Sequence, residues 1–162
     1  MKKIVAIEAL LVALLVGVMF LLLSGANVRE NVTAEEVEAA SAQFVASETF
    51  SAKVGTELNA KRYMGLNVAD YSAYVYYVAT QGMDVHEFLW VDAGSEEGAE
   101  EVLAVMNERL TSQMEAFDEG YGPEQMALLE KACVFSMGRY AIYIVSEDSE
   151  AWKSAITDVL EE

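Results

Sequence analysis

Residues Ile4 to Leu23 form an apolar run interrupted only by Glu8. Twenty residues in helical conformation span about 30 Å, the hydrocarbon thickness of a bilayer. Fourteen of the twenty are Leu, Ile, Val or Phe. At about −0.3 to −0.6 kcal/mol each, they outweigh one Glu at about +3 kcal/mol. Glu8 sits about one turn from Lys2 and Lys3 and can snorkel toward them. The run therefore predicts a single transmembrane helix. Lys2, Lys3 and the terminal amine lie on one side, whereas Arg29 stands among Glu30, Glu35, Glu36 and Glu38 on the other. The positive-inside rule then places the N-terminus in the cytoplasm and the rest outside. A cleaved signal peptide is the competing reading, since Ser24-Gly25-Ala26 has a small-x-small pattern. Its apolar region would run about 7–15 residues, and the run here is 15 counted from Ala9 and 20 from Ile4. The expected organisation is an anchor or signal-like segment over 1–26, a tether over 27–32 and an extracytoplasmic acidic α+β domain over 33–162.

Charge narrows the partners. Beyond residue 24, 26 Asp and Glu stand against 8 Lys and Arg. Such a surface repels phosphate backbones and anionic head groups, which excludes nucleic-acid binding as a function class. Cations, basic peptides and basic protein faces remain. Cys133 is the only cysteine, so no intramolecular disulfide forms. Between Ala132 and Val134 it reads as a small buried apolar residue rather than a reactive thiol.

Beyond the anchor, Thr33-Ala34-Glu35-Glu36 has capping-box spacing and opens a helix over about 33–46. Thr56 is a candidate cap for a short helix ending near Gly65, and the stretch from Ser47 to Gly55 is ambiguous. From Tyr71 to Ala79 aromatic and branched residues crowd together, which predicts a strand. A turn at Gln81–Asp84 leads to a second strand, Val85 to Asp92. Ala99, Leu103, Met106, Leu110, Met114 and Phe117 then fall on one stripe of a long helix. Pro123 suits the first turn of a short helix through Lys131. Cys133 to Met137 and Arg139 to Ser146 form two further strands about Gly138, and Trp152, Ile156, Val159 and Leu160 give a C-terminal amphipathic helix. Two strand-strand-helix units result. Hairpins make antiparallel pairs, and one-striped helices cover one sheet face. The expected fold is α+β, a four-stranded antiparallel sheet of unspecified strand order with helices on one face, plus the N-terminal transmembrane helix.

Tyr63-Met64-Gly65-Leu66, Val85-His86-Glu87-Phe88 and Arg109-Leu110-x-x-Gln113-x-x-x-Phe117-x-x-Tyr121-x-Pro123-Glu124-Gln125 occur in order, followed by Gly138-Arg139-Tyr140 and Val145-Ser146-x-Asp148. In these the chain resembles an uncharacterised bacterial domain-of-unknown-function family of short membrane-anchored or lipoprotein-type extracytoplasmic proteins, mostly Gram-positive. The resemblance covers about two-thirds of the chain. It implies location at the cytoplasmic membrane and fold, and no activity. Ala26 stands where a lipoprotein would carry its lipidated Cys, which leaves residues 4–23 as the membrane attachment.

No catalytic, metal or cofactor constellation emerges. His86-Glu87 lacks the second His of an H-E-x-x-H zinc site, where Trp90 stands instead. The acidic pairs, such as Glu96-Glu97 and Glu147-Asp148, lack calcium-loop spacing and read as a solvated face. Tyr74 and Tyr76 share one face of their strand. If that face is open, they can join Phe88 and Trp90 or their neighbours in a stacking surface for an envelope protein or wall component; packing in a core is the plainer reading. Glu87, Arg109, Gln113 and Tyr121 either tie the long helix to the following loop or line a small polar pocket, Arg109 and Gln113 sharing a helix face. The resulting expectation is a non-catalytic binding or accessory module of the bacterial envelope. A carboxylate-based hydrolase is the alternative.

Overall fold

The computed structural model describes residues 28–117 and 122–161. Residues 4–23, expected to cross the membrane, lie outside these, and among the described residues no helix is long and apolar enough to do so. The elements run α1 (Ala34–Val45), β1 (Ala52–Val54), α2 (Glu57–Tyr63), a 3-10 turn (Val68–Asp70), β2 (Ala73–Ala79), β3 (Glu87–Asp92), α3 (Glu96–Phe117), α4 (Pro123–Leu129), β4 (Cys133–Met137), β5 (Tyr140–Val145) and α5 (Ser149–Leu160).

Local chemistry explains most boundaries. Thr33 accepts from the Glu36 N–H and Glu36 reaches back to the Thr33 N–H, closing the capping box that starts α1. Thr56 and Asn59 do the same for α2. Pro123 opens α4 behind Gly122, whose φ is +86°. Gly138 turns the β4–β5 hairpin at φ +54°, and a Cβ there would press on Val28 at 3.0 Å.

The sheet has five strands, not four, all antiparallel in the order β1-β2-β3-β5-β4. The extra strand, β1, is three residues long and pairs Val54 with Tyr77 at the edge. The helices cover both faces rather than one. Leu89 and Val91 of β3 and Tyr143 and Val145 of β5 point into a mainly aliphatic core with Ala60 of α2, Val102 and Met106 of α3, and Leu129 of α4. Phe88, Trp90, Ile142 and Ile144 point the other way, into an aromatic core closed by Val37 of α1 and Trp152 and Ile156 of α5. Every residue of β3 and β5 is buried. Strands covered on both faces carry apolar side chains at successive positions, not alternate ones.

The two strand-strand-helix units are not a structural repeat. A two-fold axis exchanging the hairpins across the antiparallel β3–β5 pair would leave both following helices on one face. Instead α3 lies on the aliphatic face and α5 on the aromatic one. The stripe of α3 is also turned from its expected line: Ala99, Val102, Met106 and Gln113 are buried, with Leu103, Leu110, Met114 and Phe117 at its flanks.

Residues 28–32, expected as part of a tether, are built into the domain. The Arg29 N–H donates to the Leu160 carbonyl at 2.9 Å, Val28 bridges to Glu161, and Val32 is buried. The chain thus enters at the Asp92 end of the sheet, beside Gly138.

Candidate functional site

Strand β3 begins at Glu87, whose side chain faces the aliphatic side at one end of the sheet. The carboxylate is buried, with 1% of the side chain exposed. Tyr76, on neighbouring β2, donates its hydroxyl to Glu87 Oε1 at 2.6 Å. Arg109, from the middle of α3, donates its Nε–H to Glu87 Oε2 at 3.2 Å. Burial pushes the Glu87 carboxyl above the ordinary carboxylate range, against the opposing pull of Arg109 and of the Tyr76 hydroxyl. Tyr76 is held far above the usual phenol value by burial and then by the Glu87 charge. Glycine makes this packing possible: a Cβ at Gly55 would run into the Tyr76 ring. Beside Glu87, the buried Tyr143 hydroxyl donates to Gln113 Oε1 at 2.5 Å.

Arg109 also borders open space. A hollow of about 160 Å³ is lined by Lys53, Asn59, Tyr63, Thr80 and Arg109, with the Gly82–Asp84 turn as its far wall. A second hollow of about 390 Å³ continues past the same turn and Arg109 to Met83, Val85, Gln113 and Phe117. The Tyr63 ring lies under two guanidinium groups, with Arg62 at 5.7 Å and Arg109 at 5.9 Å from its centroid. Among the described residues nothing accepts a hydrogen bond from the Arg109 Nη groups. The two hollows, which share Gly82, Asp84 and Arg109 as lining, make up the cleft; the first is polar and basic, the second more apolar.

Three of the expected polar-pocket residues, Glu87, Arg109 and Gln113, are brought to this place; Tyr121 lies outside the described residues. The four aromatic residues expected on an open face do not share one. Tyr76 belongs to the aliphatic core with Tyr74 packed at its edge, whereas Phe88 and Trp90 are fully buried in the aromatic core on the other face. The register explains this, since Tyr76 pairs with Leu89 while Phe88 pairs with Tyr77. Phe88 stacks on Trp152 at 4.6 Å and Trp90 on Tyr140 at 5.3 Å. The Trp90 indole N–H has no partner among the described residues.

His86 is buried between two carboxylates, Nδ1 at 2.5 Å from Asp84 and Nε2 at 2.8 Å from Glu147. In its imidazolium form both ring nitrogens donate, and the residue ties the β2–β3 turn to the β5–α5 turn. It does not meet Cys133, whose thiol lies 3.3 Å from Glu150 and is pushed up to about 11 by burial and that carboxylate. No group of three or more His, Cys, Asp or Glu among the described residues is arranged to hold a metal ion.

Lys53, Asn59 and Tyr63 are cleft residues that the pattern of the sequence does not single out as a site. One signal does exist: Lys53, Lys61 and Arg62 fall within a short stretch of a chain whose net charge is −17.

The family model described as Domain of unknown function (DUF4358) matches residues 46–146. The chain belongs to that family. No curated protein and no solved structure matches it. The DUF4358 span takes in all five strands, α2, α3, α4 and every residue of the cleft. It leaves out α1 and α5, the two helices that close the aromatic core.

Proposed function

We propose that this DUF4358 protein is a non-catalytic binding or accessory domain of the bacterial envelope, held on the outer side of the cytoplasmic membrane by residues 4–23, with the Arg109 cleft as its binding site. The observation that carries this is the mounting of Arg109. Its Nε–H is fixed on a buried carboxylate that is itself held by Tyr76, while the guanidinium lines an open cleft. A positioned arginine with spare donors is a recognition group for planar anionic or carbonyl partners. The cleft lies at the Glu87 end of β3, and the chain enters at the Asp92 end. Five residue steps at about 3.4 Å put the two about 17 Å apart, so a domain tethered at Val28 presents the cleft away from its anchor.

The hydrolase alternative needs two carboxylates converging on an open cavity. Among the described residues Asp84 is the only carboxylate lining either hollow, and its Oδ1 is engaged by His86. Both oxygens of Glu87 are occupied. A hollow by the β5–α5 turn is lined by Glu130, Glu147, Asp148 and Glu150, but there Glu147 is engaged by His86 and Glu150 by the Cys133 thiol. These engagements favour binding over hydrolysis.

Labelling of a Leu58→Cys variant tests the placement, because Leu58 is 74% exposed whereas Cys133 is buried. A membrane-impermeant maleimide added to intact protoplasts should label Leu58→Cys promptly and the parent chain slowly. Labelling of the variant only after lysis would place the domain on the cytoplasmic side and overturn the envelope reading.

A further inference from the structure

As a binding site, a role on which the assignment of its ligand rests, the cleft has a narrow chemistry. We infer that it takes the carboxylate of a ligand carrying an adjacent apolar group, the carboxylate on Arg109 and Lys53, the apolar group along Met83 and Phe117. Four properties of the site lead there. Arg109 Nε is bonded to Glu87, which leaves the Nη donors, and paired Nη–H groups match the two oxygens of a carboxylate. Lys53 lines the same hollow and supplies a second positive charge; Asn59, Tyr63 and Thr80 add neutral polar groups. The volume of about 160 Å³ at that end is of the order of a carboxylate and a few neighbouring atoms. The continuation past the Gly82–Asp84 turn is bordered by Met83, Val85, Ala116 and Phe117, a place for an aliphatic side chain.

Charge sets the upper limit on the ligand. The chain carries −17, and Asp84 stands in the cleft wall. A polyanion meets repulsion from the whole surface that two local cations do not offset, whereas a single carboxylate is admitted. Phosphate, with more charge and no apolar part, uses half the site. The same carboxylate-plus-apolar chemistry is presented by a small free acid and by the C-terminal residue of a peptide, and the two are separable by experiment.

The chain has four arginines, Arg29, Arg62, Arg109 and Arg139. Two of them, Arg109 and Arg139, hold a carboxylate through Nε. Nitrogen-15 labelling of arginine in the full-length chain in detergent micelles therefore gives a reporter in the cleft and a control outside it. The probes are N-acetyl-L-leucine, N-acetyl-L-leucinamide, N-acetyl-Ala-Ala-Leu and inorganic phosphate. N-acetyl-L-leucine should shift the Arg109 Nε–H signal saturably and leave Arg139 in place. The amide should bind about tenfold more weakly or worse, the effect of losing one charged pair. Lys53→Ala, which alters an exposed side chain, should weaken the carboxylate about threefold to tenfold with no change in fold. Tighter binding of N-acetyl-Ala-Ala-Leu would assign the ligand to a peptide end, and equal binding to a small acid; either supports the site. Equal binding of acid and amide, or phosphate binding as tightly as the acid, would overturn the carboxylate assignment while keeping the cleft as a binding site. No saturable shift at Arg109 with any probe would overturn both.

Discussion

Strand β3 carries an arginine-paired carboxylate at each end, and the two pairs do different work. At one end Asp92 takes the Arg139 Nε–H at 2.6 Å and the Gly94 N–H at 3.0 Å, while the Ala93 N–H donates to the Arg139 carbonyl. Both partners come from turns, and the bonds knit the β3–α3 connection to the β4–β5 hairpin. At the other end Glu87 is sealed beneath α3, and its arginine comes from the middle of that helix with Nη donors left over. The first pair is a clasp between two turns, beside a hollow lined by Arg29, Glu30, Glu96 and Arg139. The second is a mount that holds a charged group at an opening. The shorter distance belongs to the clasp, and both arginines have Nη groups without an acceptor among the described residues, so neither bond length nor spare donors tells them apart. The walls do, since two carboxylates, Glu30 and Glu96, line the hollow beside Arg139, whereas Asp84, engaged by His86, is the one that lines the cleft beside Arg109.

The largest effect separating the two ends should come from Arg109→Ala. Removing one partner of a buried pair leaves the other carboxylate without compensation, and a loss of about 3 kcal/mol is expected, toward the low end of the usual range because Glu87 can take up a proton. Trp90 and Trp152 are the only tryptophans and both lie in the core, so their fluorescence during urea unfolding reports this domain. A loss below about 1 kcal/mol would mean that Glu87 is not sealed as described.

Glu87→Gln should cost less at neutral pH, since the amide oxygen still accepts from a neighbour, and it should change the pH response. The folded carboxyl titrates above its unfolded value. Between those two values the folded state binds a proton that the unfolded state lacks, so this group's contribution to stability falls as pH rises and is level on either side. Urea midpoints measured from pH 4.5 upward should therefore decline more steeply in the parent chain than in Glu87→Gln. Parallel curves would show that the buried carboxyl is not the group responsible.

How far these features can be read from the residues varies with the range of the interaction involved. The capping boxes at Thr33 and Thr56, the turn at Gly138 and the apolar spacing of α3 and α5 act within a few residues, and the elements they predict are present. Sheet coverage is a longer-range property, and there the one-striped helices mislead by suggesting that one face stays open, whereas Tyr76 is in the core with Tyr74 packed against it. The continuous apolar sequence Phe88-Leu89-Trp90-Val91, repeated in Ala141-Ile142-Tyr143-Ile144-Val145, is the sign of strands buried on both sides. β1 has only three residues, one of them Lys53, and exists because β2 is there to pair with it. That long-range pairing also carries Lys53 to the cleft, and no local pattern announces it. Glu87 is legible as a carboxylate beside His86 at the head of an apolar strand and Arg109 as sharing a helix face with Gln113; their meeting with Tyr63 requires the fold.

Arg139→Ala should have the smallest effect of the three. Asp92 keeps the Gly94 N–H, and its side chain is 10% exposed against 1% for Glu87, so water can replace part of what the guanidinium supplied. The expected loss is about 1 kcal/mol, that of a partly exposed charge-assisted bond. The Arg109 side-chain signals should not move, because the two pairs sit at opposite ends of β3 and share no partner, and distant sites add independently. If Arg139→Ala instead cost as much as Arg109→Ala and displaced the Arg109 signals, the two ends would be one coupled network and the division into clasp and mount would fail. An additive double variant, with the larger share from Arg109, is the outcome that division requires.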